Sequence, residues 1–424
     1  MTPLEYLYSL ELHGIKLGLD NITRLLAAAG DPHRAYPTLH VAGTNGKGSV
    51  VAMLDAMFRA AGYHTGRFIS PHLVSVRERF LVDCEPIGDD SLDRHIERFR
   101  EIADSNAISP TFFELCTAVA FREFADRGVD VGIIEVGLGG RFDSTNVVTP
   151  VVGVITNIAL EHTQYLGGTL ELIAFEKAGI IKPDTPLVCG ETRDGPRDVI
   201  VNRANELGAP VRIAGRDFEF SAAGAGPNYA LSYRGPALKL ESVSLGLPGP
   251  YQVENAALAV AAAEWVGDSF AKLDRSAIET GLRNALWPCR LERVLDDPVT
   301  IIDVAHNTAG AEALARALTG RCVMVVAVSG DKDARRMLAV LSGKAERLIL
   351  SQFDGARAMP IDDLNAAAPD RPRECVSSLE DAIARGLRCA AESGLPLIIT
   401  GSLFTAGQAR RILIEQYGAP PLKF

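Results

Sequence analysis

The sequence TLHVAGTNGKGSVVAMLDAMFRAAG, residues 38–62, decides the fold. Residues 38–43 form an apolar run that is typical of a strand. Beyond the turn, Val50, Leu54 and Ala61 recur at the spacing of one helical face. Residues 43–49, which join the two, contain three glycines, a lysine and a serine. A strand, a glycine-rich turn and a helix in this order are typical of a loop that binds phosphate.

The glycine-rich turn can offer backbone N–H groups and the positive end of a helix to phosphate oxygens. Lys47 can reach the β- and γ-phosphates, and the Ser49 hydroxyl can ligate Mg²⁺. The strict pattern G-x-x-x-x-G-K-[ST] is not met, because Val41 replaces its first glycine and Gly48 precedes the serine. The alternative is a strand–helix turn without a ligand. The residues predicted to bind nucleotide are Gly43, Thr44, Asn45, Gly46, Lys47, Gly48 and Ser49.

A carboxylate that could complete a metal site follows in VDVGIIEVGLGG, residues 129–140. Glu135 ends an apolar strand directly before a glycine turn. An acid in a strand that is otherwise buried costs free energy unless it has a partner, so a metal-binding role is predicted. The alternative is a glutamate that faces solvent on an edge strand.

The composition of the 424 residues is that of a globular protein, with 47% hydrophobic and 23% charged residues. This length exceeds what one core usually serves, so two domains are expected. The net charge of −10 argues against nucleic acid or an anionic membrane as a partner. No apolar run approaches the roughly 18 residues of a membrane span, and the start lacks a signal pattern. The seven cysteines form no CxxC pair, which favours reduced thiols in the cytoplasm.

Short apolar runs alternate with helical stretches along the chain, which predicts an α/β protein with mainly parallel sheets. Between 211 and 245 the runs are separated by Gly, Pro and Asn, which indicates a small antiparallel patch. An alanine-rich helix is expected at 251–267. The further strands are predicted at 65–69, 129–136, 151–156 and 186–189, and helices at 112–127 and 169–178.

A domain boundary is predicted near 284–298, where Pro288 and Pro298 flank a charged stretch. Beyond it, strands are predicted at 299–304, 322–328, 347–351 and 396–400. The predicted organisation is an N-terminal domain over 1–286, a linker over 287–298 and a C-terminal α/β domain over 299–424.

Several phrases follow one another in the order of a known family: AGTNGKGS (42–49), SPHLVSVRERF (70–80), TFFE (111–114), EVGLGGRFDSTN (135–146), ITNIALEHTQYLGGTLELIAFEKAGIIK (155–182), YQVENAALA (251–259), RLE (290–292), DVAHNTAG (303–310) and TGSLF (400–404). The chain resembles the dihydrofolate synthase/folylpolyglutamate synthases of the Mur ligase superfamily. The resemblance implies a P-loop ATPase domain of Mur ligase type, with a mainly parallel sheet and a small antiparallel patch. It also implies a C-terminal Rossmann-like domain, the two enclosing the active site.

The resemblance implies an ATP-dependent amide ligase. The γ-phosphate would activate the carboxylate of 7,8-dihydropteroate or of a reduced folate, and L-glutamate would attack the acyl phosphate. The implied partners are these small molecules and ATP, with a monomeric protein in the cytoplasm and no nucleic acid or membrane. Catalytic roles are implied for Lys47, His162, Lys177 and His306.

The family implies two Mg²⁺ ions at the phosphates. Lys177 would be carbamylated by CO₂ into a carboxylate-like ligand, and a monovalent cation would be a further ion. From residue type alone, Ser70 could order a turn before proline, His162 could be a hydrogen-bonding histidine, and Lys177 could be a surface lysine. The family usually has aspartate where Glu161 stands, which leaves the role of that acid open. The implied metal ligands are Ser49, Ser70, Glu135, His162 and Lys177.

The folate pocket is implied by three segments. Glu114 would accept hydrogen bonds from the pterin ring, and the neighbouring phenylalanines would stack on it, although Phe112 and Phe113 could equally belong to the helix core. The charged residues Arg77, Glu78 and Arg79 could form a solvated run and receive no role. The implied pocket residues are Gly18, Leu19, Asp20, Asn21, Thr111, Phe112, Phe113, Glu114, Phe142, Asp143 and Ser144.

The remaining ATP contacts implied by the resemblance are Asn255, Arg290 and Asp303. His306 would lie near the γ-phosphate or the incoming glutamate, at the tip of a C-domain strand. The family commonly has DGAHNP and PGR in this part of the chain, so Cys289, Val304 and Thr308 depart from it.

Other functions remain open from the sequence. A monofunctional folylpolyglutamate synthase or a Mur-type ligase of cell-wall precursors would share the phosphate loop. A small-molecule kinase would keep the phosphate on its product. A nucleotide-binding protein without turnover would form no amide.

Overall fold

Strand β1 (Thr38–Ala42) lies in the middle of a sheet, and all five of its residues are buried. It is parallel to β5 (Val131–Glu135) on one side and to β6 (Val152–Ile155) on the other. Continuous apolar strands of this kind are expected where helices cover both faces of a parallel sheet. The computed structural model describes residues 1–14, 16, 18–226 and 228–424.

This main sheet has eight strands, which include β2 (Thr65–Phe68), β3 (Phe80–Val82), β4 (Glu85–Pro86), β7 (Leu187–Cys189) and β8 (Val211–Ile213). Their order is β4-β3-β2-β5-β1-β6-β7-β8. Six strands are parallel to one another, namely β2, β5, β1, β6, β7 and β8. The other two, β3 and β4, are antiparallel to their neighbours. The loops after β1, β2, β5 and β6 therefore all leave from one edge of the sheet.

The strong helical patterns of the sequence give long helices around this sheet. The helix predicted at 112–127 has these bounds in the structure. The helices in this part are α1 (Pro3–Ser9), α2 (Asp20–Ala28), α3 (Lys47–Ala60), α4 (Asp89–Ser105), α5 (Phe112–Arg127), α6 (Thr163–Leu166), α7 (Leu170–Ala178), α8 (Pro196–Glu206), α9 (Tyr251–Val266) and α10 (Arg275–Asn284). Short 3-10 helices occupy Leu10–His13, Pro32–Arg34, Val76–Arg79 and Ser144–Val147.

The predicted antiparallel patch is a separate three-stranded sheet of order β11-β10-β9. It is formed by β9 (Glu219–Ala225), β10 (Asn228–Arg234) and β11 (Lys239–Ser244). The prediction that the patch starts at 211 is wrong, because β8 pairs in parallel with β7 and extends the main sheet.

The C-terminal sheet has the order β12-β13-β17-β14-β15-β16 and is parallel except for β12. This arrangement confirms the predicted open α/β domain. Its strands are β12 (Glu292–Asp296), β13 (Val299–Ile302), β14 (Cys322–Val326), β15 (Ala345–Gln352), β16 (Arg373–Ser378) and β17 (Leu397–Thr400). Its helices are α11 (Thr308–Ala317), α12 (Ala334–Leu341), α13 (Ile361–Ala367), α14 (Leu379–Ser393) and α15 (Leu403–Tyr417).

The chain divides into two compact units. The first contains Met1–Ala223, Ala230–Gly246 and Val253–Leu286, and the second contains Gly224–Tyr229, Leu247–Gln252 and Trp287–Phe424. The linker predicted over 287–298 needs correction, because Glu292–Asp296 is strand β12 and pairs with β13. The charged residues of this stretch are compatible with a strand because β12 lies at the edge of its sheet.

All seven cysteines have free thiols, and five of them are buried. No helix in the described ranges is both long enough and apolar enough to cross a membrane.

Candidate active site

Two glycines let the loop after β1 approach its surroundings closely. Gly43 has a φ of 145°, and a Cβ on it would lie 1.8 Å from Thr156 Oγ1. Gly46 has a φ of 87°, and a Cβ on it would lie 2.2 Å from Asn255 Oδ1. Other residues rarely adopt these angles, and here they would also collide. The structure thus brings Asn255 of α9 next to the loop, as the prediction for this residue requires.

The same loop is fixed by the segment that follows β6. Thr44 N donates to Asn157 O at 2.8 Å, and Asn45 N donates to Asn157 Oδ1 at 3.0 Å. Thr156 Oγ1 donates to Asn45 O at 2.6 Å, and Ala159 N donates to Thr44 Oγ1 at 2.9 Å. Thr156 and Asn157 were not singled out in the sequence, although they stand at the end of a predicted strand where site residues commonly lie.

Helix α3 begins at Lys47, directly after the loop. Its first turn contains Ser49, which is 3% exposed. The Lys47 ammonium donates to the carbonyls of Gly43 and Thr44 at 3.1 and 3.2 Å, so it lies over the loop. A lysine, a helix N-terminus and a tightly held turn are the features that phosphate-binding loops share. The contacts of Lys47 are with the loop itself, so phosphate binding at this turn stays a prediction.

Gly46→Ala and Gly30→Ala form a matched pair, because their φ angles are 87° and 85°, and a Cβ on Gly30 would meet nothing within 4 Å. Each substitution should lower the free energy of unfolding by about 1–2 kcal/mol, because a left-handed backbone strains any residue with a Cβ. Only Gly46→Ala should also weaken ATP binding, by about tenfold, because its Cβ displaces the Asn255 amide. Urea denaturation and calorimetric titration with ATP check both effects. Equal ATP affinity of the two variants would contradict a nucleotide site at this loop.

The carboxylate at the end of β5 is buried beside a hydroxyl. Glu135 is 5% exposed, and its Oε2 accepts a hydrogen bond from Ser70 N at 3.1 Å. The Ser70 hydroxyl is buried and has no hydrogen-bond partner among the described residues. The peptide bond between Ser70 and Pro71 is cis. A carboxylate and a buried hydroxyl without a partner are oxygen ligands of the kind Mg²⁺ prefers, so these residues fit such an ion.

The described side chains near Glu135 do not by themselves supply a full set of metal ligands. In the described part of the chain, no group of three or more His, Cys, Asp or Glu side chains could hold a metal ion. Magnesium commonly takes one or two carboxylates and completes its coordination with phosphate oxygens and waters. The arrangement of Glu135 and Ser70 therefore fits an ion that enters with a nucleotide.

Lys177 lies near the end of α7 and is 4% exposed, so the interpretation as a surface lysine is wrong. Its Nζ donates to Gly43 O at 2.8 Å, which places the amine at the phosphate loop. Burial lowers the pKa of Lys177 to about 7, and the positive charge of Lys47 adds to this effect. A substantial fraction of the amine is therefore neutral at neutral pH.

His162 lies in the segment after β6, at the N-cap position of α6, with a φ of 50°. Its Nε2 is 3.8 Å from Glu161 Oε1, so the glutamate that replaces the family's aspartate is close to the imidazole. The metal-binding role of His162 stays a prediction.

Two residues of the predicted pterin pocket form the start of α5. Thr111 N donates to Glu114 Oε2 at 2.7 Å, and Glu114 N donates to Thr111 Oγ1 at 3.3 Å. This reciprocal pair is a capping box, and both residues are buried. The Glu114 carboxylate thus holds the helix terminus, and its contact with a pterin stays a prediction.

The neighbouring phenylalanines are partly buried and pack against the core, as their alternative interpretation predicted. The ring of Phe112 stacks on Tyr8 with centroids 5.9 Å apart. The ring of Phe113 lies 5.8 Å from that of Phe68 and contacts the space where a Cβ on Gly137 would stand. Stacking on a pterin stays a prediction for both.

The other pocket segments are also held by internal hydrogen bonds. Asn21 Nδ2 donates to Ser109 O at 2.9 Å, which brings residues 18–21 close to the start of α5. Asp143 is buried and accepts from Leu138 N at 2.8 Å. Ser144 Oγ lies 2.6 Å from Thr117 Oγ1, on α5. Phe142 is partly exposed, with the Arg141 guanidinium 4.2 Å from its ring centroid. Three segments that are distant in sequence therefore lie close together, and their binding of a pterin stays a prediction.

In the second unit, Asp303 follows β13 and is buried. Its two oxygens accept from Leu291 N and Ala305 N, both at 2.9 Å. Burial raises the pKa of Asp303, whereas the nearby charge of Arg290 lowers it. His306 Nδ1 lies 3.2 Å from Val304 O. The roles expected for Arg290, Asp303 and His306 stay predictions.

The interpretation of residues 77–79 as a solvated charge run is wrong for two of the three. Glu78 and Arg79 are buried, and only Arg77 is substantially exposed. The Glu78 carboxylate accepts hydrogen bonds from Leu73 N and Ser75 N, both at 2.7 Å, and so orders the loop between them.

Two family models match most of this chain. Residues 41–263 match the Mur ligase middle domain, and residues 289–403 match the glutamate ligase domain of Mur ligases.

The dihydrofolate synthase/folylpolyglutamate synthase of Bacillus subtilis is 36% identical, over 94% of this chain and 96% of its own length. The protein of the same name from Mycobacterium tuberculosis is 37% identical, over 93% of this chain and 89% of its own. The solved structure of E. coli FolC in complex with DHPP and ADP has a TM-score of 0.89 at 32% identity, covering 98% of this chain and 99% of that one. The chain is therefore an ATP-dependent carboxylate–amine ligase and belongs to the dihydrofolate synthase/folylpolyglutamate synthase family of Mur ligases.

Proposed function

We propose that this chain joins L-glutamate to the carboxylate of 7,8-dihydropteroate and to that of reduced folates, at the expense of ATP. The names of the Bacillus and Mycobacterium relatives include both synthase activities, and DHPP and ADP are bound in the E. coli structure. The observation that carries the proposal is the position of Lys177, whose amine lies 2.8 Å from Gly43 O of the phosphate loop.

The chemistry needs ATP because a carboxylate is a poor acyl electrophile. An oxygen of the substrate carboxylate attacks the γ-phosphorus, the bond from this phosphorus to the β–γ bridging oxygen breaks, and ADP leaves. The amine of L-glutamate then attacks the acyl carbon and loses a proton, and inorganic phosphate leaves. Lys47 and the N-terminus of α3 stabilise the negative charge that moves during these steps.

We propose that Ser49, Ser70 and Glu135 hold one Mg²⁺ ion and that His162 and modified Lys177 hold a second. Held by these residues, Mg²⁺ would supply positive charge that offsets the charge of the phosphates. The buried Ser70 hydroxyl without a partner in the described ranges supports the first ion.

We also propose that Lys177 is carbamylated. Only a neutral amine can attack CO₂, forming the N–C bond and losing a proton. A pKa of about 7 supplies this neutral amine. The carbamate would replace a cation by an anion beside Lys47 and so remove a repulsion between two positive charges. A monovalent cation, the monomeric state and the cytoplasmic location stay predictions, the last favoured by the free thiols.

Mass analysis of the products tests the function. Purified protein with ATP and L-glutamate should add one glutamyl residue to dihydropteroate and further residues to tetrahydrofolate, with free phosphate released only when acid and amine are both present. A UDP-muramyl substrate should give no product. Elongation of tetrahydrofolate alone would indicate a monofunctional folylpolyglutamate synthase. Phosphate that stays on the pterin acid when glutamate is present would contradict the ligase function.

A further inference from the structure

Arg79 is a buried cation at the predicted folate pocket. It ends the 3-10 helix Val76–Arg79 and is 7% exposed. Its guanidinium lies 5.1 Å from the ring centroid of Phe112, which in turn stacks on Tyr8. Its backbone carbonyl accepts a hydrogen bond from Ile69 N at 3.2 Å, directly before Ser70. The guanidinium of Arg79 therefore faces the aromatic wall, and its backbone contacts the residue before Ser70, close enough for the charge of Glu135 to affect Arg79.

The guanidinium of Arg79 has a hydrogen-bond partner at its Nε edge, and this partner is neutral. Arg79 Nε donates to His72 Nδ1 at 3.0 Å. Burial, together with the charge of Arg79, lowers the pKa of His72 to about 3, so the imidazole is a neutral acceptor. Across the described ranges, the two Nη groups of Arg79 make no hydrogen bond that would occupy them. Because a guanidinium presents its donors as a planar fork, the Nη edge can receive a planar anion.

No acidic side chain within the described residues forms an ion pair with Arg79. The adjacent carboxylate of Glu78 is held by the backbone amides of Leu73, Val74 and Ser75. Glu11 and Glu135 affect Arg79 electrostatically, but from beyond ion-pair distance. A desolvated cation without a close counterion is costly, and a bound anion would offset this cost.

We propose that Arg79 binds the carboxylate of the pterin-bearing acid and holds it beside Glu135 and Ser70. The inference rests on the proposed function, and it adds to that function the residue that recognises the acid. A neutral pterin ring would leave the buried charge uncompensated, whereas a carboxylate can accept two charge-assisted hydrogen bonds from the guanidinium fork. Arg79 would thus act by binding and orienting the acid before phosphoryl transfer.

The test compares binding of 7,8-dihydropteroate with binding of its uncharged carboxamide, both measured calorimetrically in the presence of a non-hydrolysable ATP analogue. Arg79→Gln should weaken binding of the acid by about 10–100-fold and change binding of the amide by less than about threefold. Arg79→Lys keeps the charge but not the fork, and it should give a smaller loss that is again specific for the acid. Arg77→Gln is the matched control, because Arg77 lies on the same turn but pairs with Asp89, and it should bind both ligands as the unmodified protein does.

Equal losses for acid and amide would overturn the proposal in favour of a contact with the pterin or a purely structural role. If the Arg79 variants lost affinity only for the ATP analogue, the proposal would be overturned in favour of a contact between Arg79 and the phosphates. Unchanged affinities in both Arg79 variants would also overturn it. If the unmodified protein binds neither pterin ligand and forms no amide, the proposed function itself fails, which is distinct from a failure of Arg79 alone.

Discussion

Lys177→Ala should lower turnover by about 10²–10³-fold, a loss typical of removing one preorganised electrostatic contact from an active site. Lys177 is buried, and its amine reaches Gly43 O, so no solvent-exposed lysine can replace it. If the working form is a carbamate, a short-chain acid such as acetate should enter the space left by the side chain and restore part of the activity. Rates of amide formation with and without acetate provide the measurement.

Lys182→Ala is the control for this substitution. Lys182 is also partly buried, its pKa is also lowered by burial, and its Nζ donates to Asn146 O at 2.7 Å. This variant should keep turnover within a few-fold and should not respond to acetate. Equal rescue of both variants, or near-normal activity of Lys177→Ala, would contradict the role of Lys177. Unmodified protein whose turnover is independent of bicarbonate would count against the carbamate.

Glu135→Gln should abolish measurable turnover while the protein keeps its fold. The amide oxygen of glutamine can still accept the hydrogen bond from Ser70 N, which the carboxylate accepts at 3.1 Å. What is lost is the negative charge that Mg²⁺ needs, so the apparent affinity for Mg²⁺ should fall by about tenfold or more. The measurements are the Mg²⁺ dependence of ADP release and the midpoint of thermal unfolding.

Glu123→Gln provides the matched control. Glu123 is equally buried, but it pairs with His95 and Ser91 at 2.9 and 2.7 Å, on helices α4 and α5. This variant should unfold at a lower temperature and keep its Mg²⁺ dependence. A normal rate for Glu135→Gln would remove Glu135 from the metal site.

Local patterns predicted much of this architecture. The bounds of α5 and the strand–loop–helix unit at β1 follow from apolar periodicity and glycine placement, which act over a few residues. The position of Lys177 shows the limit of such patterns. Its residue type and its place near a helix end are also compatible with a lysine on the surface. The structure instead buries it, with its amine donating to the carbonyl of Gly43, which is distant in sequence.

Other features were missed although a local signal was present. TFFE and SVRE both have the S/T-x-x-E spacing of a capping box, and the structure uses both in this way. This spacing would have indicated that Glu78 and Glu114 hold backbone amides. Strand β12 was hidden because its charged residues resemble a linker, and its pairing with β13 depends on a tight turn at Pro298.

An isotope-transfer experiment tests most directly whether the acid is activated as an acyl phosphate. Dihydropteroate labelled with ¹⁸O in its carboxylate is incubated with the protein, ATP and L-glutamate, and the released phosphate is analysed by mass spectrometry. Transfer of the γ-phosphoryl group to the acid predicts one ¹⁸O atom in each inorganic phosphate formed from doubly labelled substrate. Phosphate without the label, formed together with the amide product, would contradict activation of the acid as an acyl phosphate.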